Sequence, residues 1–128
     1  MKNYIVHLFD LPTYSPPGHS KTTNRRLLGP GAEGSTRFEV IYGEIEPGGQ
    51  ADPHAHDIQE QAFFILEGRA EIEIAGACRV VGPQDFIYLP AGTTHRVTPL
   101  GKSSLKLLII YSPPLSSVKS EKQNKSPL

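Results

Sequence analysis

The sequence predicts a single all-β domain, folded as a sandwich or barrel of about eight short strands. Its 128 residues are enough for one domain with a substantial core. Twelve glycines and twelve prolines interrupt the chain at short intervals, which favours short strands over long helices. Apolar and polar residues alternate through much of residues 37–112, and no long run has convincing helical periodicity.

The alternation is clearest in residues 69–74, where glutamate and isoleucine follow each other strictly. Ala75-Gly76 then predicts a tight hairpin turn, from which residues 78–81 return as the next strand. The remaining strands of this region are predicted at residues 37–43, 61–66, 86–89, 95–98 and 105–111.

Changes in composition divide the chain into three regions. Residues 1–36 are a proline-rich lead-in that we expect to pack on the barrel, with short strands near residues 5–8 and 25–28. Residues 37–112 form the barrel itself. Residues 113–128 are a polar tail, expected to be flexible because it cannot bury enough apolar surface to offset its ordering entropy.

Charge and cysteine content narrow the choice of partners and compartment. Thirteen basic and thirteen acidic residues give a net charge of zero, which argues against nucleic acid or an anionic membrane as the main partner. The single cysteine, Cys78, excludes an intrachain disulfide and is predicted to be a buried structural thiol. With no secretory signal and no membrane-spanning run, the protein is expected to be cytoplasmic.

Three histidines form the strongest candidate for a functional site. His54 and His56 are two residues apart, so on a strand both imidazoles face the same side. His95 follows a turn that contains proline and glycine. Imidazole groups bind Zn, Ni, Fe, Mn, Co or Cu, and we expect one divalent transition metal ion per chain without a preference among these metals. His7 and His19 fall outside this pattern and are predicted to lie at the surface or in turns.

Two segments resemble the paired motifs of the RmlC-like cupin superfamily. The first motif contains, in order, Gly48, His54, His56, an amide or acid, and Gly68. The second contains Asp85, Pro90, Gly92 and His95. The resemblance covers about residues 37–112 and implies a double-stranded β-helix, the cupin jelly-roll barrel, with a metal at its mouth. It also implies a homodimer.

The chain departs from the family pattern at the position of the usual glutamate ligand. Counting back from Gly68 places Gln61 there, with Glu60 one residue away. Because strand side chains alternate, only one of the two can face the metal, and the register favours Gln61, with Glu60 as the alternative. A site of three histidines and one glutamine resembles that of the cupins that linearise unsaturated uronates. Two further departures, Gln84 for a glycine and Pro99 for an asparagine, affect turn geometry.

The resemblance implies several functions for such a site. The leading hypothesis is an enzyme of isomerase or lyase type that activates a small oxygen-rich organic anion by Lewis-acid catalysis. The alternatives are a cupin dioxygenase and a non-catalytic module that binds a small ligand. Candidate residues of the substrate pocket are Tyr42, Phe63, Val97, Leu108 and Arg26, the last as a clamp for a carboxylate.

Overall fold

The computed structural model describes residues 4–30, 37–51 and 55–115. Within these ranges the chain forms strands and one short 3-10 helix, Leu8–Asp10, which confirms the all-β prediction. None of the helical structure in these ranges is long and apolar enough to cross a membrane. The strands are β1 (Thr13–Tyr14), β2 (His19–Leu28), β3 (Glu39–Ala51), β4 (Glu60–Glu67), β5 (Arg69–Ile74), β6 (Ala77–Val81), β7 (Phe86–Leu89), β8 (His95–Leu100) and β9 (Leu105–Ser112).

The strands form two antiparallel sheets. The larger sheet has the order β1-β2-β3-β9-β4-β7, and the smaller one has the order β6-β5-β8. Strand β9 therefore lies between β3 and β4, although it is the last strand in the described chain. A strand order in which the chain crosses from one sheet to the other and a late strand lies between earlier ones is typical of a jelly roll. The fold is the double-stranded β-helix that the sequence predicted.

The apolar core fills the space between the two sheets. Strand β4 shows how alternation builds it, because Phe63 and Ile65 point inward and are buried while Leu66 is exposed. Ala70 and Ile72 of β5 cover them from the smaller sheet. The other buried members of this cluster are Ile45, Ile87, Leu89, Leu105 and Leu107.

The lead-in is more closely integrated into the fold than the sequence predicted. Residues 19–28 form strand β2, which pairs with β3 along almost its whole length and joins the larger sheet. The strand predicted near residues 5–8 is absent, and Leu8 instead begins the 3-10 helix. Of the predicted flexible tail, residues 116–128 lie outside the described residues, so its flexibility stays a prediction.

The hairpin between β5 and β6 has the predicted turn. Ala75 and Gly76 both have positive φ, 51° and 88°, as a two-residue hairpin turn of the primed type requires. The next strand carries Cys78, which is exposed. The prediction of a buried thiol was wrong because β6 is an edge strand, and most of its residues are exposed on both faces.

Two glycines with positive φ provide a matched test of how tightly the turn after β4 packs against the start of β9. Gly68 (φ 86°) sits where a Cβ would lie 2.6 Å from the carbonyl oxygen of Ser104, whereas a Cβ on Gly76 (φ 88°) would meet nothing within 4 Å. Gly76→Ala is expected to lower the free energy of unfolding by about 1–2 kcal/mol through left-handed backbone strain alone. Gly68→Ala should cost clearly more, because the clash adds to the same strain.

Urea denaturation of the two variants beside the wild type measures both costs. Equal losses of stability would contradict the close approach between Gly68 and the start of β9.

Candidate functional site

A cavity opens between the two sheets, and both apolar and polar side chains line it. The apolar lining residues are Ile45, Phe63, Val97, Leu107 and Ile109. The polar ones are His19, Thr22, Asn24, Gln61, His95 and Tyr111, with Gly43 completing the lining. A concave, mainly apolar site with a few polar groups is the usual form of a small-molecule pocket.

His95, the first residue of β8, is held in one tautomer. Its Nδ1 lies 3.1 Å from the carbonyl oxygen of Thr93. A carbonyl oxygen can only accept, so Nδ1 carries the proton and donates to it. In the neutral imidazole the buried Nε2 then carries the lone pair, as a histidine that binds a metal requires.

His56 lies in the segment before β4, and its ring is close to that of His95. It is buried, and its ring centroid lies 6.1 Å from that of His95 and 5.4 Å from the ring of Tyr111, to which it stands edge-on. A hydrogen bond of 2.7 Å from the Gly92 amide to the His56 carbonyl oxygen joins its segment to the turn before His95. The two sequence motifs thus meet through their backbones as well as their side chains.

Gln61 and Glu60 take opposite sides of β4. The Gln61 side chain is buried and lines the cavity, whereas Glu60 is exposed. The Gln61 amide hydrogen-bonds the phenol of Tyr111, directly opposite it on β9. Its Oε1 is buried and has no hydrogen-bond partner among the described residues. A buried amide oxygen in this state is costly unless a ligand satisfies it.

A buried carboxylate lies next in the same row of the sheet. Glu39 is opposite Tyr111 on β3, is only 1% exposed, and accepts hydrogen bonds from the Arg26 Nε at 2.7 Å and the Leu115 amide at 3.0 Å. The Arg26 guanidinium also lies 5.0 Å from the ring centroid of Tyr14. Arg26 is therefore engaged at this end of the sheet and does not line the cavity.

Only part of the predicted substrate pocket lies at this cavity. Phe63 and Val97 line it as expected. Tyr42 and Leu108 do not, because they are opposite each other on β3 and β9 and belong to the set of side chains that alternates with the cavity-lining ones. The clamp predicted for Arg26 is replaced by the ion pair with Glu39.

Three lining residues on β2 were missed by sequence reasoning. His19 was predicted at the surface or in a turn, yet it lies on β2 and lines the cavity together with Thr22 and Asn24. An irregularity in the β2–β3 register between Ser20 and Thr22, with Lys21 at φ 53°, shifts the alternation by one residue and brings His19 to the inner face. A lysine is a weak sequence signal for such a bulge, so the inward position of His19 was not foreseeable.

One of the four predicted metal ligands is a residue that the structure does not describe. His54 lies outside the described residues, while Gln61 and His95 line the cavity and the ring of His56 lies beside those of His95 and Tyr111. Within the part of the chain that is described, no three His, Cys, Asp or Glu side chains form a metal-holding group. An amide is not among those four types, so the described candidate set here is two histidines and Gln61.

The sequence and the fold are both similar to those of known proteins. The sequence model for the cupin domain family matches residues 41–111, and the protein belongs to that family. A β-D-galactosidase of Mycobacterium tuberculosis is 29% identical over 107 residues, covering 84% of this chain and 91% of that protein.

Solved structures show the same fold. The polyketide cyclase RemF from Streptomyces resistomycificus superposes with a TM-score of 0.75 at 27% identity, covering 99% of this chain and 95% of that one. KdgF from Halomonas sp. superposes with a TM-score of 0.72 at 20% identity, covering 87% and 95%. The second likeness concerns the fold alone.

The buried phenol beside Gln61 predicts a loss of stability at high pH. Burial, reinforced by the negative charge of Glu39, raises the pKa of Tyr111 above its ordinary value. Below about pH 10 the phenol is protonated in both the folded and the unfolded chain, so its contribution is constant. Above that pH only the unfolded chain releases the proton, and the free energy of unfolding falls by up to about 1.4 kcal/mol per pH unit for this group.

Denaturation of the wild type and of Tyr111→Phe between neutral pH and high pH tests whether Tyr111 causes this loss of stability. The free energy of unfolding of this variant should fall less steeply as the pH rises. That of the matched control Tyr88→Phe, at an exposed tyrosine, should fall like that of the wild type. Identical slopes for Tyr111→Phe and the wild type would contradict the role of Tyr111.

Proposed function

We propose that this cupin is a metal-dependent enzyme in which His54, His56, Gln61 and His95 hold one divalent ion. The observation that carries the proposal is the buried Oε1 of Gln61, which has no hydrogen-bond partner among the described residues. The hydrogen bond between His95 Nδ1 and the Thr93 carbonyl supports it, because a metal-binding histidine usually donates its other ring N–H to a carbonyl or carboxylate group. Two imidazoles and an amide oxygen are a donor set that suits a divalent transition metal.

The charge of this ligand set bears on the chemistry. Imidazole and amide are neutral, so the ion would keep its full positive charge, unlike one bound by a carboxylate. When bound, such an ion supplies Lewis-acid stabilisation of a negatively charged substrate oxygen. The exchange of carboxylate for amide also weakens metal retention.

The substrate we propose is a small oxygen-rich organic anion, such as the enolate of a carbonyl compound. No lysine or arginine is among the described residues that line the cavity. The bound ion would then be the main partner of the substrate's negative charge. The apolar walls, which include Phe63 and Ile109, exclude water around the reacting oxygen and strengthen that interaction.

The protein's own residues hold the site in position. Tyr111 fixes the Gln61 amide so that Oε1 remains the group available to a ligand. The raised pKa of Tyr111 keeps its phenol protonated across the physiological range. The Thr93 carbonyl fixes the ring of His95, so the donor set is largely preorganised.

The relatives support catalysis without selecting a substrate. One is described as a polyketide cyclase and another as a β-D-galactosidase, so their activities differ. We therefore favour isomerase or lyase chemistry on the strength of the neutral donor set. A dioxygenase and a non-catalytic binding module are the competing functions.

Assays of turnover separate these functions. Ultraviolet absorbance with unsaturated uronates and keto acids would detect isomerase or lyase activity, and an oxygen electrode with catechols and diketones would detect a dioxygenase. Oxygen uptake without any non-oxidative turnover would contradict our choice. Tight binding of one of these compounds with no turnover would favour the binding module.

Metal content tests the ligand set directly. Gln61→Ala is expected to lower affinity for zinc or nickel at least tenfold, because it removes a ligand oxygen, as even outer-shell changes cost tenfold or more. Gln61→Glu should retain metal, since carboxylate is the stronger ligand. Glu60→Ala is the matched control, because its side chain lies on the exposed face of the same strand.

Mass spectrometric metal analysis of protein purified without added metal, followed by titration of the stripped protein, measures all three variants. Loss of metal in Glu60→Ala alone would contradict the assignment. Metal in fewer than about a tenth of wild-type chains, with no thermal shift on adding metal, would contradict metal binding altogether.

We also propose a homodimer and a cytoplasmic location. The exposed apolar side chains of Val80, Phe86 and Tyr88, on β6 and β7, offer a surface that a second copy could cover. The single cysteine is compatible with a reducing compartment. Light scattering and fractionation of the source cells test the two proposals.

A further inference from the structure

One polar group in the cavity has no role in the proposed metal site. Asn24 lies on β2, is only 2% exposed, and lines the cavity. Its amide hydrogen-bonds the phenol of Tyr14, its neighbour on β1. Its Oδ1 is buried and has no hydrogen-bond partner among the residues that the structure describes. An unsatisfied acceptor that lines a cavity indicates a place where a ligand donates a hydrogen bond.

The backbone opposite Asn24 leaves room for such a ligand. Gly43 is its cross-strand neighbour on β3. A Cβ at Gly43 would lie 3.0 Å from Asn24 Oδ1 and 3.2 Å from Ile109 Cδ1. The space beside the amide oxygen therefore depends on the absence of a side chain at this position.

The nearby hydroxyl on β2 is already engaged. The Thr22 hydroxyl donates to the carbonyl oxygen of Ser20 at 3.1 Å. Asn24 Oδ1 remains as an acceptor for a donor that comes from the cavity. Since the described lining contains neither lysine nor arginine, no side chain of these two types competes for it.

We infer that Asn24 is a substrate-binding residue whose Oδ1 accepts a hydrogen bond from a substrate hydroxyl. The cavity then takes a hydroxyl-bearing carbonyl compound with an apolar body. This rests on the proposed function for the carbonyl end, which would face the metal-binding residues, while the Asn24 contact is independent of the metal. Apolar residues such as Phe63 and Val97 pack against the body between the two ends.

Small aromatic ketones serve as probes. Binding of meta- and para-hydroxyacetophenone is compared with that of acetophenone and para-methoxyacetophenone, which carry no hydroxyl donor. Isothermal titration or ligand-observed NMR uses the full chain, both stripped of metal and loaded with zinc. The wild type is expected to bind at least one hydroxylated ketone about tenfold more tightly than either reference compound.

Two variants test whether Asn24 causes the preference. Asn24→Leu keeps a similar volume but removes the acceptor, and Gly43→Ala keeps the acceptor but fills the space beside it. Both should bind the hydroxylated and reference ketones equally. Thr23→Val, at the exposed neighbour on the same strand, is the matched control and should keep the wild-type preference. If Asn24→Leu fails to fold, Gly43→Ala still provides the test.

The inference is overturned if both folded variants keep the preference, or if the wild type has none, as when a water molecule satisfies Oδ1. It is also overturned if the wild type binds none of the ketones. A hydroxyl preference in a protein that takes up no metal would support Asn24 and contradict the metal-dependent function. Metal uptake with no hydroxyl preference would support the metal-dependent function and contradict the role of Asn24.

Discussion

Strand β9 pairs with β3 on one side and β4 on the other, and this double pairing organises the interior of the barrel. It aligns Glu39, Tyr111 and Gln61 in one row across three strands. Each member of the row constrains the next. The Glu39 carboxylate, held by Arg26, reinforces the raised pKa of the buried Tyr111 phenol, and that phenol fixes the amide of Gln61. The orientation of a candidate metal ligand therefore depends on strand pairing as well as on its own position in the sequence.

The second constraint is the contact between the two motifs. The amide of Gly92 donates to the carbonyl oxygen of His56, and the Thr93 carbonyl in the same turn accepts from His95. One short turn thus hydrogen-bonds the segment of the first motif and orients the histidine of the second motif. The arrangement resembles a preorganised site, because backbone groups hold both the ring of His95 and the segment of His56 in place.

Much of the fold could be predicted because antiparallel strands repeat every two residues. Strand β4 illustrates this: the alternation of Phe63 and Ile65 predicted an inward face, and the same parity placed Gln61 inward and Glu60 outward. The alternation alone does not say which face of a strand points towards the cavity. Tyr42 and Leu108 were chosen for the pocket by residue type, and they lie opposite each other away from the cavity. Cys78 was misplaced because edge position in a sheet depends on the topology.

The sequence by itself determined the all-β class, the strand pattern of residues 37–112, the spacing of the two histidine motifs and the placing of Gln61 and Glu60 on opposite faces of one strand, because all of these depend on local periodicity and spacing. Only the tertiary structure decided that β2 is an integral strand, that a bulge at Lys21 turns His19 inward, and that Asn24 faces Gly43 beside the cavity. These depend on register between strands distant in sequence. A one-residue irregularity there reverses the face of every side chain beyond it.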